Sequence, residues 1–167
     1  MTKWMIWAVM AASAVCNSAD ASAACTMNPP PLSSAEIAKR PTVRAVVFDR
    51  QSNRSDGLLK DGRTFRVQLS GCDRSGVTAA LWMRQSSVSE MTHAQWVAEA
   101  VRFGRNVLSK EIANDIAMSA TKEWRSGVGS HEGRLVFDLT TPEGISIQIV
   151  VVSSEVGVQL VIYYAAG

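Results

Sequence analysis

The sequence predicts an α+β fold, in which an antiparallel sheet packs against a central helical block. Three observations predict it: β-prone runs before residue 84, a helical periodicity between residues 92 and 124, and three more β-prone runs after residue 134. An order of strands, then helices, then strands is typical of an antiparallel sheet covered by helices. The predicted sheet therefore combines N-terminal strands with a C-terminal three-strand meander.

The N-terminal strands follow from residue type and alternation. β-Branched and aromatic residues fill residues 42–48, and apolar residues alternate with polar ones over residues 65–69. Asp61 and Gly62 suit a tight hairpin turn. Residues 49–57 are polar and are interpreted as a loop. The predicted strand segments are residues 42–48, residues 58–59 leading into the turn, residues 65–69 and residues 77–83.

Two capping boxes mark predicted helix starts. Ser33 and Glu36 have the spacing of a reciprocal cap, and Pro41 ends the short helical turn that follows. Thr92 and Gln95 repeat this spacing at the start of the helical block.

Apolar residues then recur every three or four positions, which predicts an amphipathic helix. Ser109 interrupts the pattern, so the block is either two packed helices or one long bent helix. Gly127 is a natural stop. The residues that carry the periodicity are Trp96, Ala100, Phe103, Val107, Ile112, Ile116, Ala120 and Trp124.

The last third of the chain predicts three strands joined by short turns. The strands are residues 134–140, 145–153 and 158–164, and sequential antiparallel strands form a meander. The apolar final strand fits either the centre of the sheet or an exposed edge.

The N-terminus has the pattern of a secretory signal peptide: Lys3, an apolar run over residues 4–15, and an Ala-x-Ala exit at Ala21 and Ala23. The run is too short to cross a bilayer as a helix, which needs roughly 20 residues. Cleavage after Ala23 is preferred, and cuts after residues 14, 21 and 24 stay open. The predicted organisation is a signal peptide at 1–23, a proline-rich strap at 24–32 and a single domain at 33–167, located in the periplasm or secreted.

Removal of the leader takes Cys16 away and leaves Cys25 and Cys72. Two cysteines in an exported chain are interpreted most simply as one disulfide. Two buried unpaired thiols are the alternative. A lipid anchor at Cys25 is a further alternative, although Ser22 stands where a lipoprotein signal usually has leucine, and no stable membrane anchor is expected.

The formal net charge of +2, with basic residues scattered along the chain, does not favour a nucleic-acid or anionic-surface partner. No cofactor motif occurs, and the histidines and cysteines lack the paired spacing of a zinc site. A Gly-x-Ser-x-Gly elbow is also missing. The sequence therefore predicts neither a cofactor, nor a metal, nor catalytic residues, while a paired-carboxylate enzyme stays open.

The glycine-rich loop at residues 127–133 is the predicted partner-binding element. Its Ser130, His131 and Glu132 offer hydrogen bonds and a titratable ring on a projecting loop. The polar segment 49–57, with Arg54, is a second candidate. Ordinary connecting loops are the alternative for both segments.

The signal peptide, the chain size and the Cys25–Cys72 pair together resemble the small periplasmic immunity proteins that protect bacteria from secreted cell-wall amidases, and also the periplasmic lysozyme inhibitors. The resemblance implies a protein partner, such as a secreted amidase or another hydrolase, whose catalytic groove a loop such as residues 129–133 occludes. A non-catalytic accessory of a secretion or pilus assembly, pairing through a sheet edge, is the alternative. A homodimer is compatible with either function.

Overall fold

A computed structural model describes residues 32–70, 76–85, 91–120, 125–127, 134–141 and 144–165. Within these ranges, eight strands form one sheet in which every neighbouring pair is antiparallel, and three helices accompany it. The prediction of a mixed fold built on an antiparallel sheet is therefore confirmed. The helices are α1 (Ser34–Ala38), α2 (His93–Val107) and α3 (Lys110–Ser119). The strands are β1 (Val43–Asp49), β2 (Arg54–Leu59), β3 (Thr64–Ser70), β4 (Gly76–Met83), β5 (Arg125–Gly127), β6 (Arg134–Thr140), β7 (Ser146–Ser154) and β8 (Gly157–Ala165).

The sheet consists of two four-strand meanders that meet at their last strands. Its order is β1-β2-β3-β4-β8-β7-β6-β5, so β4 and β8 lie side by side in the middle. The predicted C-terminal meander is present as β6, β7 and β8. The final strand is central, because it pairs with β4 on one side and β7 on the other. Within the described residues, the edges of the sheet are β1 and β5.

The interpretation of residues 49–57 as a loop is wrong for most of that segment. Only residues 50–53 form a turn, and β2 begins at Arg54. Its polar residues pair with β1 on one side and β3 on the other. Gly57 pairs with Phe65, and a Cβ atom on Gly57 would lie 2.2 Å from Phe65 Cζ. A glycine is required there because the aromatic ring lies across its Cα atom.

Both predicted capping boxes are present, at Ser33 with Glu36 and at Thr92 with Gln95. The helical block is two helices, because the Ser109 side chain caps α3 by accepting from the Ile112 N–H at 3.4 Å. The predicted continuation to Gly127 is wrong. Helix α3 ends at Ser119, and Gly127 lies in β5, opposite Val136. No helix among the described residues is long and apolar enough to cross a membrane.

Alternate residues of the strands point to two faces of the sheet. One face, here called the helix face, holds the buried core, and individual side chains of α2 and α3 contact it. The rings of Phe65 and Phe103 meet edge to face at 6.5 Å, and those of His93 and Phe137 at 5.4 Å. A row of paired residues crosses this face from β1 to β6: Phe48, Ser55, Val67, Ala79, Ile162, Ile149 and Phe137.

A polar contact also joins α3 to the helix face. The hydroxyl of Tyr164, a residue that is only 1 % exposed, donates to Asp115 Oδ2 at 2.8 Å. Burial, with the Asp115 carboxylate as acceptor, raises the pKa of Tyr164 well above its usual range. The phenol therefore keeps its proton, and this hydrogen bond persists across the physiological pH range.

Candidate binding face

Of the predicted partner-binding residues, Arg54 lies in the described part of the chain, at the first position of β2. It is a strand residue and not the loop residue that the sequence predicted. The remaining predicted site and disulfide residues lie outside the described residues: Ser130, His131, Glu132, Cys25 and Cys72.

Arg54 belongs to a group of four charged side chains on the face opposite the helix face, here called the open face. Its Nε lies 2.8 Å from Asp56 Oδ2, without hydrogen-bond alignment, and its Nη2 lies 3.8 Å from Asp49 Oδ2. On the neighbouring strand β3, Arg66 Nε donates to Asp56 Oδ1 at 2.7 Å. Two arginines and two aspartates thus alternate across β1, β2 and β3, and their charges cancel.

Asp49 is fixed at the β1 end of this charged group. Its carboxylate accepts from the Ser52 hydroxyl at 2.6 Å and from the Gln51 N–H at 3.0 Å. These hydrogen bonds hold the pKa of Asp49 below its usual range. The Ser52 hydroxyl contributes most to the shift, and the Arg54 charge contributes less than either hydrogen bond. The last residue of β1 therefore stays ionised beside Arg54 at neutral pH.

The open face becomes apolar toward its centre. One row of paired residues, here called the central row, spans all eight strands: Val47, Asp56, Arg66, Ala80, Val161, Val150, Val136 and Gly127. Its charged members lie on β2 and β3, and its valines lie on β6, β7 and β8 and at the β1 edge. Ala80 and Val161 at its middle are each 5 % exposed.

Two aromatic side chains flank the middle of the central row. Trp82 is half-buried, and the Arg66 guanidinium lies 5.6 Å from the centre of its ring, close enough for a cation–π contact. Tyr163, on the other side of the row, is 43 % exposed. The Trp82 ring therefore lies where the charged part of the open face meets its apolar part.

A cleft of about 710 Å³ lies at one end of the sheet, where the β2–β3 and β7–β8 turns extend past the end of β4. Trp82, Met83 and Gln159 line it together with Arg63 and Val156. The cleft is continuous with the open face, because Trp82 and Gln159 face each other across β4 and β8 on that face.

Arg63 is held in the wall of the cleft by carboxylates on two elements. It bonds to Asp61 at 2.7 and 2.8 Å and to Glu99 of α2 at 2.5 Å. Glu99 is only 4 % exposed and also pairs with Arg102. The contact with Arg63 lowers the pKa of Asp61. These four residues link the β2–β3 turn to α2.

A surface of this kind is suited to recognition. Paired charges orient a partner without a strong net field, and half-exposed aromatic residues supply much of the affinity at protein interfaces. Sequence reasoning missed Trp82, Tyr163 and Arg66. The polar positions Arg66 and Gln68, alternating with buried ones in β3, are the signal that could have located this face. In the part of the chain that the structure describes, no group of three or more His, Cys, Asp or Glu residues could hold a metal ion.

Comparison of the chain with protein-family models, with curated proteins and with solved structures gave no match.

Proposed function

We propose that the protein is an exported periplasmic binding protein of the immunity or inhibitor class, which binds a secreted cell-wall hydrolase and occludes it. The observation that carries the proposal is the open face, where the half-buried Trp82 lies against Arg66 of the neutralised charged group and Tyr163, on β8, is exposed. Export rests on the leader pattern in the sequence. Burial of an aromatic cluster with a polar rim is the usual basis of a specific protein interface.

In this proposal the helical block covers the helix face and leaves the open face to the partner. The ring contacts of Phe65 with Phe103 and of His93 with Phe137 support that division. So does the Tyr164–Asp115 hydrogen bond to α3. A sheet whose helix face is fixed by a core has a preorganised open face, and preorganisation lowers the entropy cost of binding.

The size of the open face also favours a macromolecular partner. Eight strands about 4.8 Å apart, each about seven residues long, span an area of the order of 800 Å². A standard protein interface buries about this area on each partner. The cleft beside Trp82 would receive a projecting side chain or loop of the hydrolase at the end of this area.

The test uses the purified exported protein and a purified cell-wall amidase of the kind that bacteria secrete against competitors. Inhibition that is complete at a 1:1 ratio supports the proposal. Tyr163→Lys should weaken inhibition at least tenfold, because an exposed aromatic ring at an interface commonly contributes more than about 1.4 kcal/mol. Met118→Lys is the matched control, since Met118 is 61 % exposed but lies on α3. Equal effects of the two substitutions, or no inhibition of any amidase or lysozyme assayed, would contradict the proposal.

The loop at residues 127–133 stays part of the proposal as a second contact. Replacing His131 and Glu132 by alanine should weaken inhibition without lowering the melting temperature. Unchanged inhibition would remove the loop from the site and leave the open face as the proposed contact.

An accessory role in an envelope assembly is the second candidate, and edge strand β1 favours it. Val47 is 72 % exposed on this edge, and an exposed apolar edge strand can pair with a strand of another chain. Concentration-dependent association that Val47→Lys abolishes would support this role. Val156→Lys is the control, because Val156 is 95 % exposed but lies in the β7–β8 turn.

A further inference from the structure

A second cavity, of about 280 Å³, lies on the helix face near the β1 edge, at the end of the sheet away from the cleft. Here it is called the edge groove. Phe48, Val67 and Leu69 provide its apolar surface, and the polar residues of its rim include Ser55 and Asn53. Leu32, Ser33, Ser34 and Glu36 complete the lining from the chain segment that enters α1.

The edge groove leaves an apolar side chain uncovered where the core ends. Along the row of paired residues on the helix face, Ser55, Val67 and Ala79 are 6 %, 5 % and 0 % exposed. Phe48, the last member of that row at the β1 edge, is 45 % exposed. Among the described strand residues, Phe48 is the only large apolar residue on the helix face whose side chain is exposed. A groove with an aromatic ring at its edge and a buried valine inside is suited to an apolar ligand.

We propose that the occupant of the edge groove is the chain's own proline segment, Pro29, Pro30 and Pro31. Leu32 lines the groove and directly follows Pro31, so the proline segment is attached to a residue of the cavity wall. Three consecutive prolines in an extended polyproline conformation cover about 9 Å. This length reaches from Leu32 across a cavity of this size to Phe48.

The chemistry of the segment matches that of the groove. Proline rings are apolar and lack the backbone N–H, so the segment can cover Phe48 and Val67 without burying an unpaired donor. Docking of polyproline segments on aromatic side chains is a common mode of peptide recognition. Because the segment is covalently attached beside the groove, its effective concentration there exceeds that of a free partner.

Docking has a consequence for the two cysteines of the exported chain. Leu69 lines the same groove three positions before Cys72, and Cys25 lies four positions before Pro29. Four extended residues reach at most about 14 Å. A docked proline segment therefore limits how far Cys25 can lie from Cys72, and it favours the predicted disulfide without depending on it.

A double-mutant cycle on the exported chain tests the proposal, with reductant present so that a disulfide makes no contribution. The two changes are Phe48→Ala and the replacement of all three prolines by serine. Phe48→Ala should raise the unfolding equilibrium constant in both chains. The increase should be at least about threefold larger when the prolines are present than when serines replace them. Effects of the serines on the unfolded chain are the same on both sides of the cycle and cancel.

Val47→Ala is the matched control, because Val47 neighbours Phe48 in β1 but faces the open face. Its effect should be the same with and without the prolines. Equal effects of Phe48→Ala in both backgrounds would overturn the proposal. So would a loss of self-association on Phe48→Ala, which would make a second copy the occupant.

An independent measurement needs no substitution. Proton NOEs between the proline ring protons and the Phe48 ring in the exported chain are the expected result. Their absence, with the Phe48 resonances assigned, would overturn the proposal. Both tests are made on the exported chain in the absence of a hydrolase, so their outcome is independent of the proposed inhibitor function.

Discussion

The cluster around Glu99 shows at the level of single residues why a buried carboxylate needs its partners. Glu99 is 4 % exposed, so most of the hydration that would stabilise its charge has been removed. The half-buried Arg63 and the exposed Arg102 replace that hydration. Arg63 is also bound by Asp61, which makes it the better-ordered of the two cations.

Removing Arg63 should therefore destabilise the protein more than removing Arg102. Arg63→Ala leaves Glu99 buried with one exposed partner, and we expect a loss of about 2–3 kcal/mol in the free energy of unfolding. Arg102→Ala should cost less than about 1 kcal/mol, because the Arg102 side chain is 68 % exposed and its ion pair is screened by solvent. Urea denaturation measures both values, and equal losses would show that Glu99 does not depend on Arg63.

The lowered pKa of Asp61 indicates how the stability that this cluster contributes changes as the pH falls. Arg63 lowers the pKa of Asp61 in the folded protein, so its ionised form stabilises the fold above the ordinary aspartate pKa of about 3.9. That contribution is lost as the pH falls through the lower folded pKa. Asp61→Asn should lower stability at pH 6 by less than about 1 kcal/mol, since the Asp61 side chain is half exposed, and the deficit should be smaller at about pH 3, below the ordinary aspartate pKa. A deficit that is the same at both pH values would contradict the assignment, and Glu155→Gln, in an exposed turn, is the control.

At the level of elements, the packing of β2 on β3 depends on one glycine. Gly57 lies opposite Phe65, and a methyl group there would meet the far end of the Phe65 ring and the Ala45 carbonyl oxygen. Gly57→Ala should therefore cost about 1–3 kcal/mol in the free energy of unfolding, as overpacking of a core does. The cost should be smaller in a Phe65→Leu background, because leucine lacks the ring atoms that clash.

Thermal or urea unfolding of the four variants gives the coupling between these two positions. Gly62→Ala is a useful comparison. Nothing lies within 4 Å of a Cβ atom there, but the φ angle is +89°, so the cost arises from the backbone alone. That cost should be unaffected by Phe65→Leu. If Phe65→Leu relieves both glycine substitutions equally, the clash with the ring is not the cause.

Signals that are local in the sequence predicted the elements well, and signals that depend on pairing did not. The capping boxes at Thr92 and Ser33 need only residues three positions apart, so the sequence alone could locate them. The sequence predicts a loop over the first four residues of β2, because these residues become strand residues only through long-range pairing with β1 and β3. The candidate face is a case of the same kind. Trp82 and Arg66 lie on different strands, and their proximity follows from sheet register.

At the scale of the whole molecule, the two meanders differ in how they are tied to the helices. The Tyr164–Asp115 hydrogen bond and the ring contact of His93 with Phe137 join the C-terminal meander to α2 and α3. The first meander contacts α2 through Phe65 and Arg63, while its β1 edge is next to the short α1. A covalent link near the β1 edge would therefore add to the contact between β1 and α1.

A Cys25–Cys72 disulfide would close a loop that contains α1, β1, β2 and β3. Closing a loop of this length removes chain entropy from the unfolded state, and in that account it contributes about 4 kcal/mol. Thiol titration of the denatured, unreduced chain that begins at residue 24 should find no free thiol. Replacing both cysteines by serine should lower the free energy of unfolding by about 4 kcal/mol under oxidising conditions and have little effect in reductant. Two free thiols, or a loss of the same size in both conditions, would show that a Cys25–Cys72 disulfide makes no contribution to stability.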